Sequence, residues 1–227
     1  MSAPELMSVP EAIWCPSPNF GPRRDGLKPE LVVIHYTAME SAEAALARLC
    51  DPQAEVSAHY LIGKQGQLWQ MVEQDQRAWH AGAGEWGGLD DINSRSIGIE
   101  LDNTGDHPFS EPQIVVLEAL LHRILKRWSL SATAVIGHSD MAPGRKVDPG
   151  PRFDWARLAI LGLARATPAV TDESSEGAEF STLVAAAGYS AAASQDDLLQ
   201  ALRLRHAPMR RGPLCAADMA LLQALTS

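Results

Sequence analysis

Two kinds of apolar spacing alternate along the chain. Leu31-Val32-Val33-Ile34 runs unbroken into His35-Tyr36-Thr37, and Ser96-Ile97-Gly98-Ile99 runs into Glu100-Leu101. Runs this short, continuous and β-branched fit strands buried on both faces, not alternating half-exposed ones. Residues 56–62 and 67–72 are two more strand-like runs. The turn-rich Gly63-Lys64-Gln65-Gly66 between them predicts a hairpin. Residues 134–137 form a short strand that leads into His138.

Helical spacing appears in residues 41–50, which Asp51-Pro52 stops. It is clearest in Ile114, Leu117, Leu121, Ile124 and Trp128, three or four apart, which make one apolar face. Ser110-Glu111-Pro112-Gln113 precedes that face with a capping-box pattern and an early proline. Residues 153–164 predict one more helix.

The segments between are irregular. Residues 1–30, with Pro16, Pro18, Gly21 and Pro22, predict an extended arm with few regular hydrogen bonds. Residues 74–95, rich in Gly and Trp and without periodicity, predict one long loop, which in a compact domain is usually functional. Strands interleaved with helices predict an α/β fold, a central mixed β-sheet flanked by helices.

Composition changes at residues 167–177, a polar linker. Three short helical patterns follow, near 180–187, 195–204 and 216–225, and Ser194 with Asp197 marks the start of the second. The expected organisation is an α/β domain over 1–166 with its arm, a linker over 167–177, and a small all-α three-helix module over 178–227. That module is near the lower size limit for an independent fold.

The 227 residues are 46% hydrophobic and 21% charged, enough for a proper core. The net charge of -9 excludes a general nucleic-acid binder, which needs a basic face. No apolar run reaches the length of a membrane span, and residues 1–10 hold no secretory h-region. Cys15, Cys50 and Cys215 are odd in number and far apart in sequence, so a disulfide framework or thiolate cluster is not expected. These features predict a cytoplasmic protein, or a periplasmic one if an export signal has been removed. A monomer is the expected state.

The candidate chemistry sits at strand ends. His35 and His138 each close an apolar run, so neighbouring strands would bring both imidazoles to one edge. Asp148 follows His138 across a Pro/Gly-rich loop long enough to fold back. Two histidines and a carboxylate leave one tetrahedral position open, the catalytic form of a zinc site. Spacing alone leaves this open, because histidines so far apart match no short zinc motif and a satisfied core histidine is the competing reading. Glu100 is a carboxylate in an apolar strand and needs a partner or a task; general base toward water and then acid toward a leaving amine would be one. Lys146, two residues before Asp148, could face an oxyanion. Trp79, His80, Asn103 and Arg145 are candidate substrate contacts. Loop anchoring is the alternative for Trp79 and Trp86, a turn role for Asn103 and a solvated charge for Arg145. His59 reads as structural, and Asp140 as a cap or outer support near His138.

Six segments then agree in order with one family: Ile34-His35-Tyr36-Thr37-Ala38, residues 56–62, Ala78-Trp79-His80-Ala81-Gly82, residues 96–101, Ile136-Gly137-His138-Ser139-Asp140 and residues 143–151. Together, over about residues 20–165, they closely resemble the zinc-dependent N-acetylmuramoyl-L-alanine amidases of the AmpD/AmiD type. These share a fold with peptidoglycan recognition proteins and phage T7-type amidases. The resemblance implies Zn2+ held by His35, His138 and Asp148, Glu100 as the catalytic carboxylate and Lys146 as transition-state stabiliser. Phage-type members carry a catalytic tyrosine where this chain has Ala58, so Glu100 would carry that role here. The implied reaction is hydrolysis of the amide between muramic acid and the L-alanine of a stem peptide, on peptidoglycan fragments (muropeptides) in cell-wall recycling. The C-terminal segment resembles, more loosely, the three-helix peptidoglycan-binding module of the AmiD-type subgroup. A non-catalytic peptidoglycan receptor on the same fold is the alternative; a complete ligand set argues against it.

Overall fold

The computed structural model describes residues 11–170, 179–190 and 192–227. The first ten residues of the expected arm, and most of the expected linker, lie outside the described residues.

Six strands form a mixed sheet in the order β1-β5-β4-β7-β3-β8. They are β1 (Ile13–Trp14), β3 (Leu31–Tyr36), β4 (Tyr60–Ile62), β5 (Leu68–Gln70), β7 (Ser96–Leu101) and β8 (Val135–Gly137). β3 lies between β7 and β8 and is parallel to both; β4 and β5 form the antiparallel hairpin. Side chains alternate along β3. Val32 and Ile34 face a cluster with Ile97, Ile99 and Leu101 under α3 (Glu111–Trp128), which contributes Ile114, Leu117, Leu121 and Ile124. Leu31 and Val33 face the other way, toward Ala81, Ile92, Ile136 and Met141. Both faces of β3 are therefore covered, which explains its unbroken apolar run. His35 continues the second face.

The rest of that face is covered by α1 (Ala42–Leu49), packed on Ala58 and Leu61, and by the segment after residue 74. That segment is not the single loop expected. It contains β6 (Gln76–Ala78), antiparallel to β2 (Phe20–Pro22), and α2 (Ile92–Arg95). The arm likewise is hydrogen-bonded more regularly than expected, through β1 on β5 and β2 on β6. Pairings only two or three residues long carry no readable period. Cys15 and Cys50 meet as free thiols, with Sγ atoms 3.9 Å apart, because β1 brings the arm alongside α1.

Two other boundaries and one cap differ from expectation. β4 starts at Tyr60, not residue 56, because Ser57 spends its hydroxyl on the Asn19 carbonyl and on the Trp79 amide. Ser110 precedes α3, but its hydroxyl donates to the Lys64 carbonyl, and Gln113 donates to Ile62 and Asp102, so no capping box closes. The helix expected over 153–164 is α5 (Trp155–Ile160), capped by Asp154 and ended before Gly162, whose φ is +70°.

β8 runs directly into the one-turn α4 (His138–Met141). After the domain come α6 (Phe180–Ala186), α7 (Gln195–His206) and α8 (Ala216–Thr226), which share their own apolar cluster around Val184, Leu202 and Leu222. Ser194 caps α7 by accepting from the Asp197 amide, as its spacing predicts.

Candidate metal centre and its cleft

Parallel pairing places the ends of β3, β7 and β8 side by side. His35 is the register partner of Glu100, so their side chains emerge on the same face of the sheet. His138 follows the strand on the other side of β3. Asp148 is brought back by the 142–147 turn, where the Ser139 amide donates to the Asp148 carbonyl at 2.9 Å.

The three groups converge. His35 Nδ1 and His138 Nδ1 are 2.9 Å apart, and Asp148 Oδ2 is 3.0 Å from each. All three residues are buried, and among the described residues they are the group able to hold a metal ion. The outer nitrogens decide what the inner ones present. His138 Nε2 is 2.9 Å from the Ala81 carbonyl, which can only accept, so Nε2 carries a hydrogen and Nδ1 is the atom turned inward. On the other side, the Ser96 hydroxyl donates to the Ile92 carbonyl at 2.6 Å and so accepts from His80 Nε2 at 3.1 Å. His80 Nδ1 is then an acceptor, and His35 Nε2 donates to it at 3.0 Å. His35 Nδ1 is left as a lone pair. Burial, reinforced by His138, lowers the His35 pKa to about 4, which keeps the ring neutral. Two ring nitrogens and a carboxylate oxygen therefore face one point. That donor chemistry fits a divalent cation.

His80, expected as a substrate contact, lies against His35 and also lines the adjoining cleft. Its ring lies over Gly98 of β7, where a Cβ would come within 2.4 Å of it. A glycine inside an otherwise apolar strand was the available signal of such a close approach. His80→Phe keeps a ring there but removes the acceptor. We expect the His35 ring of the metal-free variant to populate both neutral tautomers, read from its ring nitrogen chemical shifts. An unchanged single tautomer would show that His80 does not set it.

The centre opens into a cleft of about 440 Å³ lined by Tyr36, Trp79, His80, Glu100, Lys146 and Val147, among others. Glu100 Oε2 is shielded from solvent and has no hydrogen-bond partner. Burial first, and then the Asp148 charge, push the Glu100 pKa up to about 8, against the pull of Lys146. Lys146 is exposed at the rim, near enough to act electrostatically on both His35 and Glu100. Arg145 also lines the cleft, and its Nη2 donates to the Ala81 and Ala83 carbonyls. Asn103 is 1% exposed and is used within its own turn, accepting from the Gly105 amide and meeting His107. Trp86 stacks edge-on against Tyr189 of the helical module, 5.0 Å between centroids, away from the cleft. His59 accepts from the Gly98 amide and donates to the Gln76 carbonyl, and touches none of the three converging groups.

Known proteins resemble the chain in sequence and in fold. The chain is 37% identical over 163 residues to the 1,6-anhydro-N-acetylmuramyl-L-alanine amidase AmpD of Escherichia coli, covering 64% of this chain and 89% of that one. The solved structure of the amidase AmiD from Escherichia coli, in complex with an anhydro-N-acetylmuramic acid tripeptide, matches with a TM-score of 0.78 at 31% identity, over 90% of this chain and 89% of that one. AmpDh3 of Pseudomonas aeruginosa matches with a TM-score of 0.77 at 30% identity, over 87% and 91%. The likeness to these two structures thus extends into the C-terminal helices. The family model described as N-acetylmuramoyl-L-alanine amidase matches residues 25–151, from ahead of β3 to just past Asp148, and the chain belongs to that family.

Proposed function

We propose that this chain is a zinc-dependent amidase. It would hydrolyse the amide between N-acetylmuramic acid, or its 1,6-anhydro form, and the L-alanine of a stem peptide. The observation that carries this reading is the convergence of His35, His138 and Asp148 beside the unpartnered Glu100 Oε2. Two imidazoles and a carboxylate are a zinc donor set that leaves one corner for a reactant. When bound, zinc supplies Lewis acidity, polarising the scissile carbonyl and acidifying water. The protein's own groups do the rest. Glu100 takes the proton of the attacking water and returns it to the leaving amine of L-alanine. The Lys146 ammonium lies toward the developing oxyanion. Trp79 offers an aromatic wall for the sugar or peptide.

The same reading puts the enzyme in the cytoplasm, acting on anhydro-muropeptides in wall recycling. In its support, several relatives of comparable identity are named for the 1,6-anhydro substrate. Among the described residues no helix is long and apolar enough to cross a membrane. Hydrolysis rates on purified anhydro-muropeptide and on intact sacculi test both parts, with and without chelator. The expected result is fast release of L-alanyl peptide from the soluble substrate, loss on chelation and recovery with zinc. Full activity in metal-free protein would end the zinc reading, and preference for sacculi would end the recycling one. Lys146→Ala is expected to lower kcat by roughly 10²-fold, as for loss of one oxyanion donor, with little change in KM. An unchanged kcat would remove Lys146 from the chemistry.

A further inference from the structure

The helical module reaches the turn beside the metal centre through two buried side chains, Arg205 and Tyr189. Arg205, in the last turn of α7, is 6% exposed. Its Nη1 donates to Asp140 Oδ2 at 2.7 Å and its Nη2 to the Val135 carbonyl at 2.9 Å. Its guanidinium lies over the Trp155 ring, 4.2 Å from the centroid. Asp140 is fully buried, and it anchors the turn that presents His138. Its Oδ2 also accepts from the Gly137 amide at 2.7 Å, and its Oδ1 from the Tyr189 hydroxyl at 3.2 Å. Trp155 and Pro149 close on Gly137 from the other side, where a Cβ would meet them at 3.3 and 2.8 Å.

Each end of this contact is costly to leave unmade. A carboxylate with no exposure, holding one backbone amide, needs a cation. A guanidinium with two acceptors and a ring beneath it has its planar donors used in a fixed orientation. The junction therefore has one well-defined arrangement, and the turn from β8 into α4 is part of it. His138 leaves the backbone between Gly137, which Asp140 holds directly, and Ser139, whose amide holds the Asp148 carbonyl.

We propose that the C-terminal helical module braces the metal centre, with Arg205 as the positioning residue that fixes the Asp140 turn and through it His138. The proposal rests on His138 being a metal ligand. A brace of this kind works in both directions, because coupling between two sites is reciprocal. Metal binding must tighten the docking of α7 as much as docking tightens the metal.

The experiment uses the full chain and zinc itself. Zinc affinity is measured by competition with a chromogenic chelator, in wild type, Arg205→Met and Tyr189→Phe. Hydrogen exchange in α7 is followed with and without zinc. Loss of an outer support typically costs 10–100-fold in metal affinity, so Arg205→Met is expected to bind zinc at least ~10-fold more weakly. Tyr189→Phe, which removes one hydroxyl and keeps the ring on Trp86, is expected to lose a few-fold and covers the case in which Arg205→Met fails to fold. Zinc is expected to slow α7 exchange in wild type and to do so less in Arg205→Met. The exchange readout separates a brace from a merely stabilising contact, which would leave α7 indifferent to zinc. Wild-type zinc affinity in a folded Arg205→Met chain, or α7 exchange untouched by zinc, overturns the brace while leaving the metal reading intact. A wild-type chain that binds no zinc overturns both.

Discussion

Glu100→Gln is expected to lower kcat by about 10²–10⁴-fold, the usual worth of general acid–base catalysis, while zinc affinity stays near wild type. The two effects separate because Glu100 is not among the converging groups; it stands beside them, one strand away in register with His35. Glutamine keeps the shape and the acceptor oxygen but cannot take a proton from water. The environment of Glu100 suits that exchange. Burial and the Asp148 charge raise its pKa to about 8 in the metal-free protein, and a bound cation would draw it back toward neutrality. The same shift has a stability signature. In the unfolded chain the carboxyl ionises near 4.5, and in the folded metal-free chain near 8. Between these values the folded state holds the extra proton. The contribution of Glu100 to stability is thus complete below the lower value and lost as pH rises through the upper one. Glu100→Gln removes that loss. In chelator, the melting temperature of the variant should therefore gain on wild type progressively from pH 5 to pH 8. A kcat within a few-fold of wild type would remove Glu100 from the mechanism. A flat difference in melting temperature would show that its carboxyl is not desolvated.

What could be read in advance was set by continuous apolar runs. β3 and β7 are covered on both faces, so their composition marks them as central strands, and a central parallel strand must end where its neighbours end. That is why His35, Glu100 and His138, each at or near the close of such a run, could be placed together before any coordinates. What hid was whatever depends on contacts between distant short segments. β1, β2 and β6 are two or three residues long and take their pairing from each other, not from local pattern. Ser110 and Gln113 form a capping signature in sequence, yet each found a better carbonyl across the fold, at Lys64 and Ile62. His80 looked like a loop residue free to meet substrate; only the gap left by Gly98 lets its ring reach His35. Arg205 and Asp140 are 65 positions apart, and nothing local in α7 marks that one arginine for burial.

Asp148→Asn should abolish turnover and, at the same time, remove the stability that the chain gains from zinc. Asp148 supplies the negative charge among three donors whose other members are imidazoles, so its loss removes the largest attraction for a dication. Asparagine still offers one oxygen, but its amide donates where the carboxylate accepted. In the metal-free wild type, Asp148 Oδ2 sits 3.0 Å from both inner nitrogens, and against the upward push of burial, His138 and His35 hold its carboxyl well below the usual carboxylate range. The ionised carboxylate therefore contributes to the stability of the metal-free chain at neutral pH, and asparagine loses that contribution. In chelator, Asp148→Asn melts lower than wild type. With zinc at a hundred times its wild-type Kd, wild type gains about 2.7 kcal/mol from mass action and the variant gains almost none. Thermal melts of both proteins in chelator and in zinc give the four numbers needed. A zinc-dependent rise in melting temperature that appears in wild type and is absent in Asp148→Asn is what a site shaped for a cation requires; an equal rise in both would remove Asp148 from the metal centre.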